Sequence, residues 1–478
     1  MSHSFGESMP VDACRLLSRL ITSSVASAAL LYAGIPCPSL MAQDPAADEA
    51  GQASGDATPP GDQATGGEAA PPDAATPSTE KPGDQAPPGV DFVGPMLKQQ
   101  EMARQIRDLK KPLLDPKEAE QNFNRNVSRD YRTLMSNGGN LTNAKDLETL
   151  KKGLEFRILR ITLPDQKPVS VLNELRRDLN GAGSLITNTQ NKQRFREAVC
   201  REAMVFLKQL LENNLEARSF AIAVMPDLEV VSATFQQKRI EVYGEVPDVL
   251  ISILADPQQP DAVKVRAAAE IGRLMKKTDV VPLTQLAFAK ALINQLGRAE
   301  AERAYQQQLI EVLCLVNQPR EQVGTPVPSV IQALVNVMSD RSRVIPVRCL
   351  AARGLGKVAY DDKINFEPIA WKVTQLARES AEYFNNSPKN PVWQKCGWDL
   401  YLAFHHEVSP PGTQGMLNRN GSSRVVNEGY TMTLKVAVPM IGSGTAIPAE
   451  ELQAVSDWLK TNQPANLQYD TNATPIVP

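Results

Sequence analysis

Beyond Gly94 apolar residues recur at intervals of three and four almost without interruption, the spacing that gathers them on one face of a helix. Phe195, Val199, Ala203, Phe206 and Leu210 form one such stripe, predicting a helix that ends near Asn213-Asn214. Its start signals are equally local. Asp115-Pro116-Lys117-Glu118 offers a capping carboxylate, a proline suited to a first turn and a glutamate three residues after the cap, so a helix is expected to open there. Pro448-Ala449-Glu450-Glu451 opens another, with Leu452, Val455 and Leu459 on its face. One stretch is ambiguous: Tyr430 to Val438 alternates in a way that suits a strand as well as a helix.

The pattern also repeats. At an offset of 84 residues, Leu250, Asp256, Val263, Ala267, Ala268 and Gly272 meet Leu334, Asp340, Val347, Ala351, Ala352 and Gly356, while Lys264 meets Arg348 and Arg273 meets Lys357. Half that offset gives a degenerate middle copy carrying Leu292, Ile293, Leu296, Leu313 and Val316. Three first helices open alike, at Val246-Pro247, Val281-Pro282 and Val327-Pro328.

The run Val347-Arg348-Cys349-Leu350-Ala351-Ala352-Arg353-Gly354-Leu355-Gly356-Lys357-Val358, preceded by Asp340, resembles the second helix of a HEAT repeat, and Asp256 to Leu274 is similar. The resemblance implies an all-α chain, an α-solenoid of antiparallel helix pairs that stack on their neighbours. It implies that Ala267, Ala268, Ala351 and Ala352 allow close helix approach and that Gly272 and Gly356 relieve crowding. It also implies that Asp256, Lys264, Asp340 and Arg348 form a ladder between repeats. The functional counterpart is a basic ridge in which Arg266, Arg273, Arg343 and Arg353 are the candidate partner-binding residues.

Composition divides the chain. Arg15 and Arg19 precede an apolar stretch from Leu20 to Ile35 and a small residue at Ala42, the layout of a secretory signal peptide over residues 1–42. Residues 43–94 form an expected disordered linker, with ten acidic side chains and one basic one, Lys81, between Asp44 and Phe92. The solenoid is expected over 95–407, closed by an aromatic cap that includes Trp371, Tyr383, Phe384, Trp393, Trp398 and Tyr401. Residues 408–478 read as a loop, a short helix and a mobile tail.

Formal net charge is −3 over 478 residues, which argues against a nucleic-acid partner. If the leader is cleaved, no integral membrane span is expected. Catalytic constellations are sparse: of three histidines, His3 lies in the leader, leaving His405 and His406 beside Glu407 with Cys396 nearby, and these read as solvated histidines at a helix end. Gly354-Leu355-Gly356-Lys357 lacks the glycine spacing and the hydroxyl of a P-loop. Asp361-Asp362 is a carboxylate pair without convergent geometry. No cofactor, metal or catalytic residue is assigned. Of the body's thiols, Cys200, Cys314 and Cys349 occupy apolar helix positions, and Cys314 with Cys349 is the pair to test for a disulfide.

These features point to an exported, periplasmic, cell-surface or secreted scaffold that binds a protein or peptide partner without catalysis. Two alternatives stand beside it: an envelope enzyme or lyase-like HEAT protein using carboxylates or His405 in the cap, and a structural component tethered by an uncleaved leader.

Overall fold

Helices dominate because nearly every apolar stripe finds a partner stripe. The computed structural model describes residues 112–476 apart from 116, 118–120, 122, 232–239, 299–300, 322–325, 406–414 and 443, all within the unit Ala86–Pro478. The expected leader and linker, with His406 and Glu407, lie outside the described residues. Helix accounts for 70% of the structure and strand for 1%. No described helix is long and apolar enough to cross a membrane.

The first five helices are α1 (Ser128–Asn137), α2 (Ala144–Leu159), α3 (Pro168–Gly181), α4 (Thr189–Leu211) and α5 (Leu215–Val224). Asparagines open three of them: the Asn143, Asn188 and Asn214 side chains accept from the backbone N–H groups of Lys145, Asn191 and Ala217, satisfying donors that a helix start leaves unpaired. The stripe on α4 is buried at Phe195, Val199, Ala203 and Leu210, while Leu207 takes the inward place expected of Phe206. A two-stranded antiparallel ribbon, β1 (Glu229–Val231) and β2 (Glu241–Val242), follows, with β1 against α4.

Next come α6 (Glu245–Ala255), α7 (Asp261–Lys277), α8 (Pro282–Leu296), α9 (Arg303–Leu313), α10 (Ser329–Ser339) and α11 (Ile345–Lys357). Consecutive helices other than α9 and α10 pack on each other, and through much of this stretch each packs on the helix two places along: α6 on α8, α7 on α9, α8 on α10, α9 on α11. The sequence offset reappears in the element boundaries, since α6 and α10 begin and end 84 residues apart and so do the starts of α7 and α11. Chemistry recurs with them. Asp256 Oδ1 accepts from Gln258 N at 2.8 Å, and Asp340 Oδ1 accepts from Ser342 N at 3.0 Å, closing the same side-chain turn.

The C-terminal part corrects the expectation of a loop, one short helix and a mobile tail. After α12 (Phe366–Asn386) and α13 (Val392–Phe404), the chain forms α14 (Met416–Asn420), α15 (Arg424–Gly442) and α16 (Ala449–Thr461). The ambiguous Tyr430–Val438 stretch is helical, lying inside α15, which packs on α12, α13 and α16. Beyond α16, Tyr469, Asp470, Ala473 and Ile476 are buried. The body therefore continues through residue 476, because α15 and this final segment bury apolar surface against helices that precede residue 407. Aromatic residues fill the interior here, with Phe384, Trp393 and Phe404 buried, and α15 covers the helices that carry them.

Candidate functional site

Gly272 lets α9 approach α7, and the approach leaves a groove over the seam. A Cβ on Gly272 would come within 3.0 Å of Val312 Cγ2, so the glycine sets how closely the helices meet. The groove encloses about 420 Å³ and is lined on the α7 side by Ala269, Arg273, Lys276 and Lys277, and across the seam by Gln308, Glu311, Val312 and Leu315.

A buried acid network underlies the basic rim. Asp227, in the turn after α5, accepts from Arg176 Nε at 2.7 Å, Arg273 Nη1 at 2.8 Å and Lys277 Nζ at 3.3 Å. Lys277 also pairs with Glu229 at 2.6 Å, and Arg273 with Glu270. Burial opposes ionisation of Asp227, but the hydrogen bonds and charges of Arg273 and Arg176 outweigh it and hold the carboxyl below its ordinary value. The same balance raises Arg273: burial disfavours its charge, and Asp227 with Glu270 more than restores it. Deeper in, Arg196 donates from Nε to the Glu229 carbonyl at 2.8 Å, and burial lowers its affinity for the proton. Two of the three rim cations are thus committed to internal carboxylates, whereas Lys276 is exposed and has no ion-pair partner among the described residues.

The four arginines of the expected ridge do not converge. Arg266 pairs with Glu270 on its own helix, and Arg273 belongs to the Asp227 network. Arg343 is buried, donating to Asp340, to Gln306 Oε1 and to the Leu296 carbonyl at the end of α8. Arg353 reaches Asp399 at 3.5 Å. Arg266 and Arg273 share the buried Glu270, and Arg343 and Arg353 stand in separate contacts, so each of the four is engaged by an acceptor within the chain.

The four residues of the expected ladder are also engaged differently. Asp256 and Asp340 close their own turns, and Arg348 donates to the Met338 carbonyl at 2.9 Å and to Glu379 of α12 at 2.7 Å. A link from α11 to the following helix pair therefore exists through Arg348, with glutamate as its acceptor. Lys264 is buried, and burial lowers its proton affinity. Nearby on α12, burial pushes the Lys372 ammonium down to about 8. Gly356 packs directly on the backbone of Leu402 and Ala403 in α13.

In the cap, His405 is half-buried between aromatic rings rather than solvated. Its imidazole stacks on Tyr401 at 5.4 Å between ring centres and meets the edge of Tyr430 at 5.2 Å; burial lowers its proton affinity. Cys396 points elsewhere, reaching Cys349 across the α11–α13 contact, so the thiol facing Cys349 is Cys396, while Cys314 lies against Gly354. Cys200, Cys314, Cys349 and Cys396 are free thiols. Among the described residues, no group of three His, Cys, Asp or Glu side chains is placed to hold a metal ion.

A second groove, about 440 Å³, runs between α8 and α10 and is lined by Leu283, Leu286, Ala287, Lys290 and Ile293 with Glu321 and Ser329. It is the more apolar of the two, and Leu283 at its edge is 65% exposed. Nothing in the composition or periodicity singled out this groove, because Leu283 and Leu286 read as ordinary members of a helix stripe. No known protein family, curated protein or solved structure matches the chain.

Proposed function

We propose that this chain is an exported HEAT-like α-solenoid that acts as a non-catalytic scaffold for a protein or peptide partner. The observation that carries the reading is the recurrence of α6–α7 in α10–α11, with the first helix of each pair matching at both ends, the second at its start, and the same aspartate-closed turn between them. Helix pairs stacked in this way expose an extended surface whose typical work is recognition. The open grooves over α7–α9 and α8–α10 give that surface both a basic and an apolar opening. The signal-peptide layout of residues 1–42, with a small residue at Ala42 before Gln43, supports export.

The test is site-specific photo-crosslinking in the native cell, with the crosslinker at Lys276, at Leu283 or, as a control, at the exposed Val438 of α15. One macromolecular partner captured from a groove position and missing from the control supports the scaffold. Equal capture of many proteins from all three positions, or of none, overturns it. Sequencing the mature N-terminus in the same sample tests export: Gln43 at the front supports it, and Met1 retained in the cytosol refutes it.

A further inference from the structure

The final segment of the chain is bound to the body much as a separate peptide would be. It has no helix after α16 and closes on itself where Ile476 N donates to the Leu467 carbonyl at 3.0 Å. Adjacent Tyr469 and Asp470 are buried, followed by Ala473 and Ile476 at intervals of three, and the backbone turns at Asp470, whose carbonyl accepts from Ala473 N at 3.2 Å and whose Oδ1 accepts from Asn472 N at 2.8 Å. Asn365 N, at the cap of α12, donates to the Tyr469 carbonyl at 2.8 Å, and Gln332 Oε1 of α10 accepts from Thr474 N at 2.7 Å. Asp470 pairs with Arg320, in the connection between α9 and α10. Main-chain hydrogen bonds with a few anchoring side chains are a usual means by which a folded surface holds a peptide.

The receiving side is built without help from this strap. Arg320 is also fixed by both oxygens of Asp361, one from Nη2 at 3.0 Å, and by the Pro326 carbonyl, which accepts from Nη1 at 2.9 Å. Its guanidinium therefore stands in place whether or not Asp470 is present, and such preorganisation lowers the cost of binding a carboxylate. The strap itself is an imperfect occupant. Tyr469 is buried, yet its hydroxyl has no hydrogen-bond partner, a loss that a phenylalanine there would avoid.

We infer that the slot bounded by Arg320, Gln332, Asp361 and Asn365 is a peptide-binding site, filled in cis by Tyr469-Asp470, and that it accepts a peptide that turns at a carboxylate residue directly preceded by an aromatic one. The inference rests on the scaffold reading and narrows it to one partner chemistry. Arg320 reads the carboxylate, the Asn365 N–H fixes the backbone, and the site behind Tyr469 takes the ring.

The full-length protein provides the test when a specific protease site is inserted at the exposed Ala465 and cut after folding. A fluorescent peptide spanning residues 466–478 is then added, and its anisotropy is followed while circular dichroism reports the fold. The expected result is exchange of the labelled peptide into the cut, folded chain and exclusion from the uncut one. Asp470→Asn in the peptide, or Arg320→Met in the chain, weakens binding by about tenfold or more, and Tyr469→Phe strengthens it by about fivefold. Unfolding on cleavage would make the strap a part of the core and overturn the inference, as would equal binding of the Asp470→Asn peptide or failure of the folded, cut chain to exchange. Crosslinking from Lys276 and Leu283 is independent of this slot, so failure here leaves the scaffold test intact.

Discussion

Gly356 of α11 lies so close to the backbone of α13 that a Cβ on it would stand 2.7 Å from the Ala403 carbonyl oxygen and nearer still to that of Leu402. Backbone atoms cannot swing aside as a side-chain end can. Gly356→Ala should therefore force the two helices apart and cost about 1–3 kcal/mol or more, the usual range for overpacking. At Gly272 the neighbour is a methyl of Val312 at 3.0 Å, which a small rotation relieves. Urea denaturation of both variants should show the larger loss at Gly356, and equal losses would remove the distinction between backbone and side-chain contact.

The Asp227 network makes stability depend on acidity in a defined direction. Because the folded carboxyl titrates below its ordinary 3.8, its contribution is fully present above that value and is lost as pH falls through the folded one. Asp227→Asn removes the contribution and leaves Arg176, Arg273 and Lys277 short of an acceptor. The expected loss is about 2–3 kcal/mol at neutral pH, shrinking toward zero in strong acid. Thermal melts of wild type and variant at several pH values check this; a gap that stays constant with pH would refute the assignment.

Local signals made much of this legible. The matching starts of α6 and α10, and of α7 and α11, follow from periodicity and the turn aspartates, which act within a few residues of where they stand. The identity of α15 was hidden because its one buried face, Val426, Gly429, Thr433, Val436, Ala437 and Met440, includes a glycine and a polar threonine, while the apolar Met432, Leu434 and Val438 that supply the alternation lie off it, half-buried or exposed. Long-range partners were hidden for a different reason. Arg320 and Asp470 are 150 residues apart, and nothing near either residue marks the other.

The thiols yield a prediction that sequence position had assigned to the wrong neighbours. Cys349 and Cys396 face each other across α11 and α13, in register with the Arg353–Asp399 contact one turn further on and with Gly356 against Ala403 beyond it. Burial pushes the Cys200 and Cys314 thiols up to about 12, which suppresses the thiolate that reacts. All four should resist maleimide labelling in the native protein and react once it is unfolded in reductant. Any intramolecular disulfide recovered from protein made in an oxidising compartment should join Cys349 to Cys396; peptide mapping that finds Cys314–Cys349 instead would contradict the packing.

Arg266 and Arg343 separate a binding ridge from structural fastening. Arg343 is buried and its fork spans three segments, donating to Asp340, Gln306 and the last carbonyls of α8. Arg266 sits on the surface of α7 with one intrahelical partner, Glu270. Removing the first takes a donor from Gln306 Oε1 and from the Leu296 carbonyl inside the protein, a loss of about 3 kcal/mol. Removing the second costs less than about 1 kcal/mol, because Arg266 is partly exposed and the buried Glu270 keeps Arg273 as a partner. Arg343→Lys should recover little of the loss, since an ammonium cannot reproduce the planar donor fork. Chemical denaturation of Arg343→Ala, Arg343→Lys and Arg266→Ala gives the ordering directly. If Arg343→Ala were as stable as wild type and lost only partner binding, the residue would belong to the ridge after all.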